Sequence, residues 1–101
     1  IQDAQLLEQA GIDLLVLECV PTPLASQITR ALSIPVIGIG AGPNTDAQVL
    51  VIYDLLGLSP RQPKFAKNFL TETANIEAAL KSYADEVRCG LFPEFKHGFQ
   101  S

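Results

Sequence analysis

The apolar positions of the first 20 residues follow two different periods, which predict a helix and then a strand. Residues 2–10 carry leucines on one face at helical spacing, and Gly11 follows where a left-handed residue would end the helix. Residues 13–20 form an almost continuous apolar run of strand length, interrupted near its end by Glu18. A run of this kind is typical of a parallel strand that is covered on both faces.

The next 20 residues repeat the pattern of a helix followed by a strand. Thr22 is the predicted N-cap and Pro23 the first residue of a helix whose apolar side chains recur at every fourth position. Pro35 ends this segment, and residues 36–40 read as a second buried strand. The strand, helix, strand order predicts a parallel pair.

The rest of the chain is predicted to hold one more strand and a long helix. The β-branched run 49–53 is assigned to a third strand, although a helix from Thr45 also fits so short a stretch. Residues 59–69 are predicted to be a surface loop or short helix, 73–89 an amphipathic helix, and 91–101 a tail. This α/β pattern fits half of a barrel or part of an open doubly wound sheet, and periodicity alone does not choose between them.

Composition and charge narrow the class of partner. The 101 residues are 48% hydrophobic and carry a net charge of −4, which is typical of a folded chain without a cationic surface for nucleic acid. No apolar run approaches a membrane span and no signal peptide is visible, so a cytoplasmic location is expected. Cys19 and Cys89 lack partners at metal spacing and are expected to be free thiols.

Three segments carry a specific resemblance. They are LVLECVP at 15–21, IPVIGIGAG at 34–42 and PKFAKNF at 63–69. In this order and spacing the chain resembles the ketopantoate hydroxymethyltransferase family, over essentially all of its length and into the tail at Phe92, Pro93 and His97.

The resemblance implies a fold and a reaction. Residues 1–101 would be the C-terminal part of a single (β/α)₈ TIM barrel, about three strands with their helices, in which 91–101 form a C-terminal tail. The enzyme would transfer a hydroxymethyl group from 5,10-methylenetetrahydrofolate to 2-oxoisovalerate, giving ketopantoate on the route to pantothenate. It would use Mg²⁺ and form a homo-oligomer. The metal ligands of the family lie on earlier strands, so no metal ligand is expected here, and no substrate-binding residue is assigned in this segment.

Glu18 is the candidate catalytic base. A 2-oxo acid becomes a carbon nucleophile after it loses a C3 proton, and barrel active sites lie at the C-terminal ends of the strands, where Glu18 is placed. Strand alternation puts Glu18 on the face of Leu14 and Val16, and the resemblance assigns this glutamate the role of proton acceptor. The plainer alternative is a strand-end carboxylate in an ordinary ion pair.

Other polar and small residues receive mainly structural interpretations. Three glycines, Gly38, Gly40 and Gly42, allow either close approach to a ligand or tight packing. Asp46 could approach the site from the loop after the second strand, but the cap of a short helix is the favoured role. Cys19 is expected to be a small buried hydrophobe.

The basic residues of the C-terminal third are treated in the same way. Lys64 and Lys67 could attract the carboxylates of a folate tail, but solvated lysines are the commoner case. His97 is the only histidine, and a surface or packing role is favoured over catalysis. Closure of the tail over the barrel mouth is the alternative.

Three residues depart from the family pattern: Ala47 stands in place of Gly, Tyr53 in place of His or Asn, and Gly98 in place of Ser. They bear on loop geometry and leave Glu18 untouched.

Two other functions compete with the transferase. One is a different metal-dependent barrel enzyme of the phosphoenolpyruvate and pyruvate group, and the other is a non-catalytic assembly fragment. The chain lacks Met and opens within a helix, so a truncated piece is expected. Because a complete barrel needs roughly 250 residues, the chain alone is expected to be inactive.

Overall fold

The computed structural model describes all residues from 1 to 101 and has the predicted α/β order. Its regular elements, in chain order, are α1 (Gln2–Gln9), β1 (Leu15–Glu18), α2 (Thr22–Ala31), β2 (Val36–Ile39), β3 (Ala47–Gln48), α3 (Ile52–Leu55), α4 (Ile76–Cys89) and a 3₁₀ helix (Phe95–His97).

The three strands form one parallel sheet in the order β1, β2, β3. In the register of β1 and β2, Val16 lies beside Ile37 and Glu18 beside Ile39. Because the strands are parallel, their C-terminal ends share one edge of the sheet, and Glu18 lies on that edge. The sheet confirms the predicted parallel pair, and each of β1 and β3 has only β2 as a neighbour.

The predicted third strand at 49–53 is wrong. The strand is the short segment β3, and pairing with β2 ends where the Val49 amide donates to the Gly38 carbonyl at 3.0 Å. The chain then enters α3, in which the Leu55 amide donates to the Val51 carbonyl at 3.0 Å. Local β-branched residues suggested a strand, but Leu50 packs against a helical cluster instead, so tertiary contacts override the propensity.

Two helix starts also differ from prediction. Thr22 is not the N-cap of α2: Pro21 occupies that position, and no side chain caps the helix. The long helix begins at Ile76 rather than at 73, because Asn75 caps it by accepting a hydrogen bond from the Ala78 amide at 2.8 Å. Its predicted end is confirmed, with Gly90 at a φ of +77°.

Asp46 has a structural role, but the predicted helix cap is wrong. Its carboxylate accepts a hydrogen bond from the Val36 amide at 2.8 Å, and its own amide donates to the Val36 carbonyl at 2.9 Å. Asp46 therefore occupies both backbone groups of Val36 and fixes where β2 begins against the incoming β3.

The buried side chains form two separate clusters. The first lies between the sheet and α1 and α2, and its members are Ala4, Leu17, Ala25, Ile28, Val36 and Ala41. The second joins α3, α4 and the tail, and its members are Leu55, Leu56, Phe69, Ala79 and Phe92. Within the second, Phe69 meets Tyr83 and Phe92 edge to face, with ring centroids 5.4 and 5.3 Å apart.

Phe69→Leu should destabilise the 101-residue chain by about 1–3 kcal/mol, since it loses two edge contacts worth about 0.5–1.5 kcal/mol each. The matched control is Phe95→Leu, because Phe95 is 76% exposed and the change should cost within about 0.5 kcal/mol. Urea unfolding followed by circular dichroism measures both. Equal costs for the two variants would contradict the assignment of Phe69 to the core.

Candidate functional site

The side chain of Glu18 stands at the open end of the sheet without a partner in this chain. Glu18 is exposed, as are Leu14 and Val16 on the same face, whereas Leu17 on the opposite face is buried against α2. This confirms the predicted alternation of faces. None of the ion pairs of the chain involves Glu18.

The residue after Glu18 has an unusual backbone. Cys19 has a φ of +55°, the only positive φ outside the glycines. A non-glycine residue in the left-handed region is strained and persists only where its surroundings hold it, which happens often at functional sites. Here the Cys19 amide donates to the Ile39 carbonyl at 2.9 Å. Cys19 is exposed, so the prediction of a buried hydrophobe is wrong; the predicted free thiol is confirmed.

The glycines after β2 pack tightly against side chains of the same chain. A Cβ at Gly40 would come within 2.9 Å of the Phe65 ring, and one at Gly42 within 2.5 Å of the Thr22 side chain. Gln48 closes the loop by donating to the Gly42 carbonyl at 2.9 Å. Of the two readings left open for these glycines, tight packing is the one observed.

The C-terminal tail reaches the same end of the sheet. The Thr22 amide, at the start of α2, donates to the Phe99 carbonyl at 2.6 Å. Gly98 lies against Thr22, so that a Cβ there would overlap its Oγ1, which has no hydrogen-bond partner. We call the meeting point of Thr22, Gly42 and Gly98 the tail junction. It gives a steric reason for Gly98; nothing in the structure explains Ala47 or Tyr53.

His97 is buried and makes a packing contact, which agrees with the predicted role. Its ring lies 4.9 Å from that of Phe92, and its Nδ1 accepts a hydrogen bond from the Glu94 amide at 2.9 Å. Burial lowers the pKa of His97, which keeps the ring neutral, and the nearby Glu94 opposes that shift. An accepting Nδ1 leaves the ring proton on Nε2.

The two lysines differ from each other. Lys67 is half-buried and forms an ion pair with Glu86 at 2.9 Å, so the prediction of a solvated residue is wrong for it. Lys64 is exposed, as predicted, and its ammonium lies 4.7 Å from the centre of the Phe99 ring. Both lysines line a cavity of about 500 Å³ beside the tail.

Neither a metal-binding cluster of side chains nor a membrane-crossing helix is found in this chain. Nowhere do three His, Cys, Asp or Glu side chains come together as a metal site would require. No helix has the length and apolar character needed to cross a bilayer.

Sequence comparisons decide the family. The profile described as ketopantoate hydroxymethyltransferase matches residues 1–95. The chain belongs to this family. The match includes Glu18, Thr22 and Gly42, and it ends before Gly98 of the tail junction.

Individual members of the ketopantoate hydroxymethyltransferase family are similar along nearly the whole chain. The 3-methyl-2-oxobutanoate hydroxymethyltransferase of Erwinia tasmaniensis is 56% identical over 101 residues, 99% of this chain and 38% of its own length. Those of Saccharophagus degradans and Pseudomonas fluorescens are 61% and 56% identical, over 92% and 98% of this chain and 34% and 38% of their own lengths. The chain thus spans little more than a third of the relatives it matches.

We expect the stability of the chain to fall as the pH drops through the histidine range. The lowered pKa of His97 means that the unfolded chain binds more protons between the folded pKa and the ordinary value of about 6.5. The contribution of the neutral His97 to the free energy of unfolding is therefore complete above pH 6.5. It is lost as the pH falls through the pKa of the folded state. The midpoints of urea unfolding, measured at several pH values across this range, report the change in stability.

His97→Asn is the control for that pH effect, because its amide oxygen can still accept from the Glu94 amide but does not titrate. Its stability should vary less with pH than that of the wild type. A wild-type curve as flat as that of the variant would contradict the buried, neutral His97.

Gly98→Ala should destabilise the chain by about 1–3 kcal/mol, because the tail junction has no room for the added methyl group. Thr22→Ala alone should cost about 1 kcal/mol or less, since the hydroxyl it removes has no partner. In the double variant the cost of the alanine at position 98 should largely disappear. Urea unfolding of the wild type, the two single variants and the double variant gives the double-mutant cycle. Strictly additive costs of the two substitutions would contradict the steric explanation.

Proposed function

We propose that this chain is the C-terminal part of a (β/α)₈-barrel enzyme that transfers a hydroxymethyl group from 5,10-methylenetetrahydrofolate to 2-oxoisovalerate. The product is ketopantoate, and Glu18 is the base that removes the substrate proton. The observation that carries the proposal is the exposed carboxylate of Glu18 at the C-terminal edge of the sheet, without an ion-pair partner in this chain.

The chemistry requires a base with a free lone pair. Carbon 3 of 2-oxoisovalerate carries the proton that is lost, and the electron pair left behind forms the bond to the one-carbon unit. A carboxylate held in an ion pair would be a weaker acceptor, because its charge would be stabilised by the partner. Glu18 has no such partner here, which favours proton transfer over a purely structural role.

The surroundings of Glu18 suit a substrate with a branched aliphatic end. Val16 lies on the same face one pleat further from the edge, and Ile37 and Ile39 of β2 lie beside Val16 and Glu18. These apolar side chains could contact the isopropyl group while the carboxylate faces the adjacent carbon. The strained backbone of Cys19 supports the same location, because it forces the chain to turn immediately after Glu18.

The remaining parts of the proposal extend beyond residues 1–101. Barrel closure requires further strands, and the unpaired edge of β1 and the exposed side chains of Leu14 and Val16 are where they would pack. Magnesium is assigned to residues outside this chain, because the family resemblance implies that the metal ligands lie on earlier strands. A cytoplasmic location and a homo-oligomeric assembly complete the proposal.

Glu18→Gln should abolish exchange of the C3 proton of 2-oxoisovalerate with solvent. The host for this test is a chimera in which residues 1–101 replace the matching segment of the Erwinia tasmaniensis relative. Loss of the proton is followed in D₂O by proton NMR, with Mg²⁺ and without folate. We expect a rate at least about 100-fold lower than in the unsubstituted chimera, because general bases typically contribute 10²–10⁴-fold.

The matched control is Glu77→Gln, the same change at an exposed position in the first turn of α4. It should leave the exchange rate unchanged, and the isolated 101-residue chain should show no exchange. Equal rates in Glu18→Gln and in the unsubstituted chimera would refute the assignment of the base. No exchange in either would favour the non-catalytic alternative, whereas exchange without any folate-dependent product would favour another 2-oxo acid enzyme.

A further inference from the structure

The cavity beside the tail has two hydrogen-bond donors that have no acceptor in this chain. We call it the tail cavity; it measures about 500 Å³, and its charged and polar lining is Lys64, Lys67, Lys96, His97, Glu72 and Glu94. The Nε2 proton of His97 is one donor, since Nδ1 is occupied by the Glu94 amide. The ammonium of Lys64 is the other, because it lies over the Phe99 ring and belongs to none of the ion pairs of the chain.

The other two lysines of the tail cavity are paired. Lys67 forms its ion pair with Glu86 at 2.9 Å, and Lys96 lies 3.8 Å from Glu94. Glu72 remains on the lining as an unpaired acidic group. The local charge is therefore nearly balanced, which favours a weakly bound anion held by directed hydrogen bonds over one attracted by a strong positive field.

The tail cavity lies at the same end of the sheet as Glu18. Phe65, next to Lys64, packs against Gly40 at the end of β2. Phe99, under the Lys64 ammonium, accepts a hydrogen bond from the Thr22 amide, four residues after Glu18. A ligand that reaches from the cavity along the rim would thus approach the proposed reaction centre.

We propose that the tail cavity binds a carboxylate group of an acidic small molecule, with Lys64 and the Nε2–H of His97 as its direct contacts. This inference rests on the proposed function in one respect: the carboxylate is then that of the glutamate end of the reduced folate that donates the one-carbon unit. The lysine supplies charge and the neutral imidazole supplies a directed donor.

The test uses the 101-residue chain and p-aminobenzoyl-L-glutamate as the probe, with NMR detection of the His97 ring. We expect saturable shifts of the Nε2 and Hε1 signals with a dissociation constant in the millimolar range. The pKa of His97 should also rise when the probe is bound, because a nearby anion favours the charged ring. The corresponding diamide, which lacks carboxylates, should not bind.

Lys64→Gln should weaken the binding of the probe about five-fold, as expected for the loss of one partly solvated charge contact. Lys64→Arg keeps the charge over Phe99 and should therefore retain the binding of the probe. The matched control is Lys81→Gln, because Lys81 is a solvated lysine paired with Asp85 on α4, away from the cavity. Hydrogen exchange at the Thr22 amide checks that the tail stays docked in each variant.

Absence of saturable shifts, or equal affinity in Lys64→Gln and wild type with the tail docked, would overturn the proposal. Inorganic phosphate is the second arm: if it binds as well as the probe, the site is a general oxyanion site and the carboxylate assignment is wrong. The exchange of the substrate proton by the chimera needs no folate, so failure here and failure of the proposed function give different results.

Discussion

The hydrogen bond from the Cys19 amide to the Ile39 carbonyl holds the ends of β1 and β2 side by side, and the arrangement of the candidate site depends on it. With the strand ends level, the chain after β1 must turn at once into α2, and the chain after β2 must turn into the loop that holds Gly42. The two turns meet over the edge of the sheet, where the tail docks on Thr22. Glu18 is left as the last outward-facing residue of β1, beside this covered rim.

Much of the α/β pattern could be predicted from the sequence, because the local spacing of apolar residues determines it. The apolar runs of β1 and β2 and the four-residue spacing of α2 and α4 each lie within one segment, so no distant contact was needed to interpret them. The position of Glu18 followed from alternation along a single strand. The end of α4 followed from Gly90, which the structure holds at a φ of +77°.

The errors arose where distant contacts decide the local structure. In the segment 49–53 the first three residues are irregular and the last two belong to α3, because Leu50 packs against the cluster of α3, α4 and the tail. Cys19 is exposed because its strained backbone turns it away from the buried face. The tail junction could not be found from spacing, since Thr22, Gly42 and Gly98 are far apart in sequence. Its only signal was that two of its three members are glycines, which lack a Cβ.

The absence of space at the tail junction also constrains how such a sequence can change. A side chain at position 98 is admissible only if position 22 has already become smaller, because both would occupy the same volume beside Gly42. The two positions are thus epistatic: the order in which substitutions arise decides whether the intermediate sequence keeps its tail over the sheet. A lineage that carries threonine at position 22 is expected to retain glycine at position 98 until the threonine is replaced.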